Sequence, residues 1–263
     1  MRGFEKKGEN MIPKIIHLMW FGGGEYPEEI KKCLDSWKKN LPDYEIKKWD
    51  YDMAQKIDIP YLQDALKSKK WAFAADVVRL YALYKYGGVY MDADIFITGR
   101  FDQYMERGVH FFQEYHKNMP INDCIDSAGH RIGEKVIGCG IQAAFIIAEK
   151  GHPYIKMLLE NYKLRHFELD EAGKVKKDEF IAPDIYAINL EKYGYIYRDE
   201  YQDLGCNVYV HPSYYVAGGP SELTTKAFAI HECAHSWFDY SYAQKIKNSV
   251  KKYIRAHMNL FKI

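Results

Sequence analysis

Several features are missing from this chain, and each absence excludes a class of protein. No apolar run reaches the roughly 18–20 residues that a membrane-spanning helix needs, and the start carries no signal-peptide pattern. No charge dominates: 37 Lys and Arg against 36 Asp and Glu leave +1, so there is no whole-chain footprint for nucleic acid. The five cysteines are an odd number without a CxxC, which suits reduced thiols in a cytoplasmic protein better than a disulfide framework. Internal repeats and low-complexity linkers are absent too. What remains is 263 residues, 48% of them apolar, enough for one substantial core and short for two.

Residues 1–10, MRGFEKKGEN, are charged and aperiodic, and are read as a disordered extension, a tag or an upstream start. Residues 11–239 are expected to form one α/β domain. Ile12–Phe21 is a buried first strand, ended by Gly22-Gly23-Gly24. Pro27 suits a helix start, and Ile30, Cys33, Leu34 and Trp37 recur at helical spacing. A strand over Tyr44–Trp49, helical stretches around Pro60 and a long helix over Trp71–Tyr86 follow. Gly87-Gly88 stops that helix; Val89–Met91 is the next strand, and Ile95–Ile97 is expected to continue it. Further on, Phe111–Tyr115, Ala143–Ala148, Val208–His211 and Ala227–His231 read as strands, and His152–His166 and Tyr240–Met258 as helices. Residues 117–140 read as a long, functional loop. Alternating strands and helices predict a mostly parallel central sheet with helices on both faces.

The chemistry concentrates in DVVRLYALYKYGGVYMDAD, Asp76 to Asp94. Asp92 and Asp94 stand at the tip of an apolar strand, and in extended backbone residues two apart point the same way. Two carboxylates that close call for a hard divalent cation, Mn²⁺ or Mg²⁺, which commonly carries a phosphate as a further ligand. A solvated turn is the plain alternative, but an apolar strand before the pair and Ile-Phe-Ile after it argue against one. Asp76 and Arg79, three apart, share one face of a helix whose Phe73, Val77, Leu80 and Leu83 make it look buried. Arg79 suits phosphate and sugar oxygens in fork geometry, and Asp76 suits sugar hydroxyls. Trp20, at the first strand's end, reads on its own as core, and beside the glycine loop also as a stacking platform for a base. His231, after another apolar run, reads as a third metal ligand or as a buried hydrogen-bonded imidazole. His231, Cys233 and His235 have a zinc-like spacing, without a second ligand pair nearby.

Taken together, PKIIHLMWFGG, YEIKKW, FAADVVRLYALYKYGGVYMDAD and AIHECAHSW resemble the family-32, DXD-containing, Och1-like glycosyltransferases, which include bacterial capsular enzymes. More remotely they are similar to the large toxin glucosyltransferases. The resemblance covers most of residues 12–237 and implies a GT-A-type single-domain sandwich. It implies that Trp20 stacks on the donor base, that Asp76 and Arg79 hold the donor sugar, and that Tyr90 lies near ribose or sugar. It places Asp92 on the ribose or sugar and, through water, on the metal, with Asp94 ligating directly and His231 at the late metal position. Ser236 and Trp237 would lie near the β-phosphate, and Gln142 stands where the family has a donor-binding Asn.

The implied activity is metal-dependent, retaining transfer of a hexose from a nucleoside diphosphate sugar, UDP-linked as first expectation. The acceptor would be a glycan or lipid-linked saccharide in surface polysaccharide synthesis. The competing readings are a haloacid-dehalogenase-like phosphohydrolase, whose sites also open with strand-borne Asp-x-Asp, and a catalytically inactive carbohydrate-binding protein. Residues 240–263 read as a basic amphipathic helix, with Ile246, Val250, Ile254, Met258 and Phe261 apolar among lysines and Arg255. Such a helix either packs on the domain or touches the anionic inner face of the cell membrane from a cytoplasmic location.

Overall fold

The computed structural model describes residues 11–116, 118–171, 173, 180–219 and 222–232. Its elements run β1 (Ile15–Met19), α1 (Glu28–Asn40), β2 (Glu45–Trp49), α2 (Tyr51–Ala54), α3 (Pro60–Lys67), α4 (Trp71–Tyr86), β3 (Gly88–Met91) and β4 (Ile95–Ile97). The second half holds β5 (Val109–Tyr115), β6 (Cys139–Ile141), β7 (Phe145–Ala148), α5 (Pro153–Lys163), α6 (Ala182–Leu190), β8 (Gln202–Asp203), β9 (Val208–His211), β10 (Val216–Ala217) and β11 (Ala229–His231). The extension at 1–10, the C-terminal helix expected at 240–263, and Ser236 and Trp237 lie outside the described residues. Among the described residues no helix is long and apolar enough to cross a membrane. Among the described residues Cys124, Cys139 and Cys206 are free thiols.

The central sheet has the order β2-β1-β3-β7-β5-β9-β8, with β6 on the outer part of β5. β2, β1, β3, β5 and β9 run one way, as expected of a mostly parallel sheet, while β7 and β8 run against them. Alternation along each strand feeds two cores. Tyr90, Val109, Phe111, Ile146 and Ala148 face the side packed by α3, α4, α5 and α6. Val89, Met91, Phe112, Phe145 and Ile147 face α1 and a second, small sheet, β10-β11-β4.

α4 is apolar nearly all round, and ten of its sixteen residues are buried, as befits a helix packed on several sides. It stops at Gly87, whose φ of 69° favours glycine. Gly88 follows with φ 109°, and a Cβ there would lie 2.4 Å from the Ile15 carbonyl oxygen, so only glycine lets β3 run this close to β1. His17, buried in β1, donates from Nε2 to the Gly87 carbonyl at 2.9 Å and accepts from Trp49 Nε1 on β2 at 3.2 Å. Burial holds its pKa down to about 4, so it bridges three elements as a neutral ring.

One expectation is corrected here. Ile95–Ile97 does not continue β3; it leaves the central sheet and pairs antiparallel with β11. The chain turns at Asp92–Asp94, where Ile95 N–H donates back to the Asp92 carbonyl at 3.0 Å. Ile95 and Ile97 then bury beneath α1, where Trp37 Nε1 donates to the Ile95 carbonyl and Ser36 Oγ accepts from Ile97 N–H. The two carboxylates therefore stand on a turn between two sheets, not on an extended strand.

Candidate active site

Strand pairing builds the carboxylate end of the site. β3 delivers Asp92, whose backbone N–H donates to the Ala144 carbonyl at 2.9 Å, and the turn presents Asp94 two residues on. β4 leaves the turn and pairs with β11 so that His231 stands opposite Ile95, and Glu232 N–H donates to the Asp94 carbonyl at 3.0 Å. The result is a cluster of Asp92, Asp94 and His231, with one potential ligand atom from each lying within 4.8 Å of the others. His231 Nε2 is 3.5 Å from Asp94 Oδ1. Two carboxylates and an imidazole within that span fit one divalent cation, since ligand atoms at about 2.0–2.6 Å from an ion lie within about 5 Å of one another. Oxygen with one imidazole suits Mn²⁺ or Mg²⁺.

The helix end of the site is buried. Arg79 Nη2 pairs with Asp76 Oδ1 at 2.8 Å, one helical turn back, and sits 3.9 Å from Asp92 Oδ1. Arg79 also donates from Nη1 to the Ala143 carbonyl at 2.6 Å and from Nε to the Ala75 carbonyl at 3.3 Å. Burial opposes its charge, but the surrounding Tyr90, Asp76 and Asp92 more than offset this and hold the guanidinium firmly protonated. Tyr90, 1% exposed, lies beneath it with the guanidinium carbon 4.5 Å from the ring centroid, a cation–π arrangement, and donates its hydroxyl to Asp92 Oδ1. Tyr90 thus ties the two ends together, and burial raises its phenol pKa so that it stays a donor.

The remaining expected residues stand further back. Gln142 is 3% exposed, and its Oε1 accepts from Ala144 N–H at 3.4 Å. It braces the Ala143–Ala144 strip, whose carbonyls receive Arg79 and Asp92. Trp20 is half-buried at the end of β1, donates from Nε1 to the Gly23 carbonyl at 3.1 Å and packs on Tyr26, 4.8 Å between centroids. It is outside the carboxylate cluster, beside the glycine turn at 22–24.

Tyr162 and Tyr186 escaped the reading of the sequence. Both are wholly buried, and the charges of Asp76 and Arg79 act on both phenols, whose pKa values burial raises. Among 23 tyrosines in the chain, nothing local marks these two.

Comparison with known proteins places this geometry in context. Inositol phosphoceramide mannosyltransferase 3 of Schizosaccharomyces pombe is 41% identical over 92 residues, covering 32% of this chain and 24% of that protein. Mannosyl phosphorylinositol ceramide synthase SUR1 of Saccharomyces cerevisiae is 37% identical over 92 residues, covering 32% and 23%. An uncharacterised glycosyltransferase of Acanthamoeba polyphaga mimivirus, L373, is 30% identical over 118 residues, covering 43% and 47%. The chain thus spans less than half the length of each of these relatives. Among solved structures, PaToxG glycosyltransferase aligns at TM-score 0.46 and 20% identity over 70% of each chain. Residues 2–167 match the family described as capsular polysaccharide synthesis protein, and the chain belongs to that family.

Proposed function

We propose that this protein is a metal-dependent, retaining glycosyltransferase. It moves a hexose from a nucleoside diphosphate sugar, UDP-linked as first choice, to a hydroxyl of a glycan or lipid-linked saccharide in surface polysaccharide synthesis. The observation that carries the reading is the meeting of Asp92, Asp94 and His231 beside the buried Arg79–Asp76 pair. The family and the relatives named as mannosyltransferase or glycosyltransferase support it.

Asp92, Asp94 and His231 would hold Mn²⁺ or Mg²⁺, which supplies charge neutralisation for a departing diphosphate. Arg79 adds a permanent positive charge, fixed before the donor arrives by the Ala143 carbonyl and Asp76, so little reorganisation accompanies charge development. Asp76 accepts sugar hydroxyls, and Tyr90 aims Asp92. Trp20 offers a ring for the base. The retaining outcome runs as front-face departure and attack, with the leaving phosphate taking the acceptor proton, and needs no side-chain nucleophile.

The test is a nucleotide-release screen over UDP-glucose, UDP-galactose, UDP-N-acetylhexosamines and GDP-mannose, with Mn²⁺ and with chelator. Because relatives are named for mannosyl transfer, GDP-mannose carries equal weight with the UDP donors. Metal-dependent release of nucleoside diphosphate from one donor is expected. Release of inorganic phosphate would point to a phosphohydrolase instead, and failure to bind any of these nucleotides with Mn²⁺ would sink the enzyme reading.

A further inference from the structure

Away from the carboxylate cluster, a cleft of about 460 Å³ opens between the loop at 121–127 and the segment 197–199, lined also by Tyr115 at the end of β5. Clefts of about 300–1,000 Å³, with apolar walls and a few fixed polar groups, are the size and make-up that hold small ligands. The two walls are tied together. Tyr197 N–H donates to the Gly129 carbonyl at 2.9 Å, and Arg198 Nη2 donates to the Ser127 carbonyl at 2.6 Å. The rim carboxylates are fixed as well. Asp126 Oδ1 accepts from Ala128 N–H at 2.9 Å and from His130 N–H at 2.8 Å. Asp199 accepts from Ser213 N–H at 2.6 Å and from Ser213 Oγ at 2.8 Å, which takes two of the roughly four acceptor sites of a carboxylate.

The cleft lies on the carboxyl edge of the central sheet, as Asp92 does. Met91 stands opposite Phe145 on β7 and His110 opposite Ile147, so Phe112 of β5 is level with Met91 of β3. Tyr115 is therefore two strands to the side of Asp92, about 10 Å, and two residues further out, roughly 7 Å. Alternation puts it on the helix-covered face with Phe111 and Tyr90, the face that carries Arg79. Its half-buried ring and Ile125 give apolar surface, while Asn122, Asp126, Arg198 and Asp199 give donors and acceptors. With one guanidinium against two carboxylates, that lining disfavours a phosphate or other anion. A wholly apolar ligand would strip water from the charged groups without replacing it. A neutral sugar meets both demands, with C–H faces for the apolar surface and hydroxyls that donate and accept. Resting on the reading of Asp76 to Asp94 as the donor site, we propose that this cleft holds the acceptor, gripping a neutral sugar unit a short distance along the glycan from the hydroxyl that receives the hexose.

Ser127→Trp and Asn122→Trp test this by filling the cleft from two exposed positions, with Lys163→Trp, exposed on α5, as a bulky control outside it. Binding of lactose, maltotriose, cellotriose and mannotriose is read by saturation-transfer NMR with UDP and Mg²⁺ present. UDP affinity with Mn²⁺ and melting temperature are measured alongside. Wild type should bind at least one of these saccharides. Ser127→Trp and Asn122→Trp should weaken that saccharide by about tenfold or more through steric exclusion, while Lys163→Trp binds it as wild type does. UDP affinity and melting temperature should hold in both cleft variants, which separates a blocked subsite from a disturbed fold. A saccharide held equally by wild type and both cleft variants overturns the proposal, as does its loss only together with UDP affinity. So does a wild type that binds UDP but none of the four saccharides, and the donor reading then stands. A wild type that does not bind UDP removes the donor reading, and this inference with it.

Discussion

The two ends of the site differ in how they are held. The Asp92 and Asp94 side chains are 31% and 15% exposed on a turn between two sheets, whereas Asp76 and Arg79 are 11% and 5% exposed inside a packed helix. Carboxylates on a turn can adjust to an ion as it arrives and departs. A buried ion pair cannot move freely, since each charge depends on the other and on the Ala143 carbonyl. One end is therefore suited to exchange and the other to preorganisation, and Tyr90 couples them through its bond to Asp92 and its face beneath Arg79.

The largest expected effect lies at the exchangeable end. Asp94→Asn should lower metal-dependent turnover by about 10³-fold or more, on the scale of removing a principal charge-stabilising group. Its denaturant midpoint should stay near that of wild type, because Asn keeps the size of the side chain beside His231; wild-type turnover would end the proposed mechanism. At the other end the order of effects reverses. Arg79→Leu leaves Asp76 buried beside a missing partner and should cost about 3–5 kcal/mol by urea unfolding. Asp76→Leu combined with Arg79→Leu should recover much of that stability while turnover stays lost, the non-additivity expected of a buried pair. If Arg79→Leu unfolds like wild type, the contrast between the two ends is broken.

Tyr90→Phe sharpens the link between them. It keeps the ring under Arg79 but removes the hydroxyl on Asp92, and should lower donor kcat/KM about tenfold with a smaller change in stability. The smallest effect is on acid stability, away from the site. His110 and His211 face each other across β5 and β9, Nδ1 to Nε2 at 3.0 Å, and burial lowers their pKa values to about 4 and about 3. An unfolded histidine titrates near 6.5, so below that pH the unfolded chain binds protons that the fold refuses. Stability is therefore complete above about 6.5 and lost as pH falls toward about 4. His211→Phe should flatten that decline between pH 6.5 and 4, read as melting temperature against pH.

Legibility followed the reach of the forces involved. α4 appears at the bounds its sequence predicts, because an apolar run of helical length followed by two glycines starts and stops by local sterics. β9 matches at Val208–His211 for a similar reason: a short β-branched and aromatic run needs only a neighbour to pair with. Asp76 and Arg79 were legible as a pair because helical periodicity alone places them on one face. β4 was not, since Ile95–Ile97 reads like a continuation of β3, and only pairing with β11 and cover from α1 turn it into another sheet. β6 was hidden in what looked like a loop, because it is a strand only by virtue of pairing with the end of β5. Gln142 was named for its position, yet its burial and its bond to Ala144 depend on the path of the chain into β7.

The sequence by itself determined the apolar helix with its Asp-x-x-Arg face, the glycine stop and the strand ending at two aspartates. These rest on sterics and periodicity within some twenty residues. Only the tertiary structure decided that His231 lies beside Asp94 and that Ala143 caps Arg79. Each of these is a contact between segments far apart in the chain. Strand pairing and core packing bring such segments together, and those forces leave no local mark on the residues that meet.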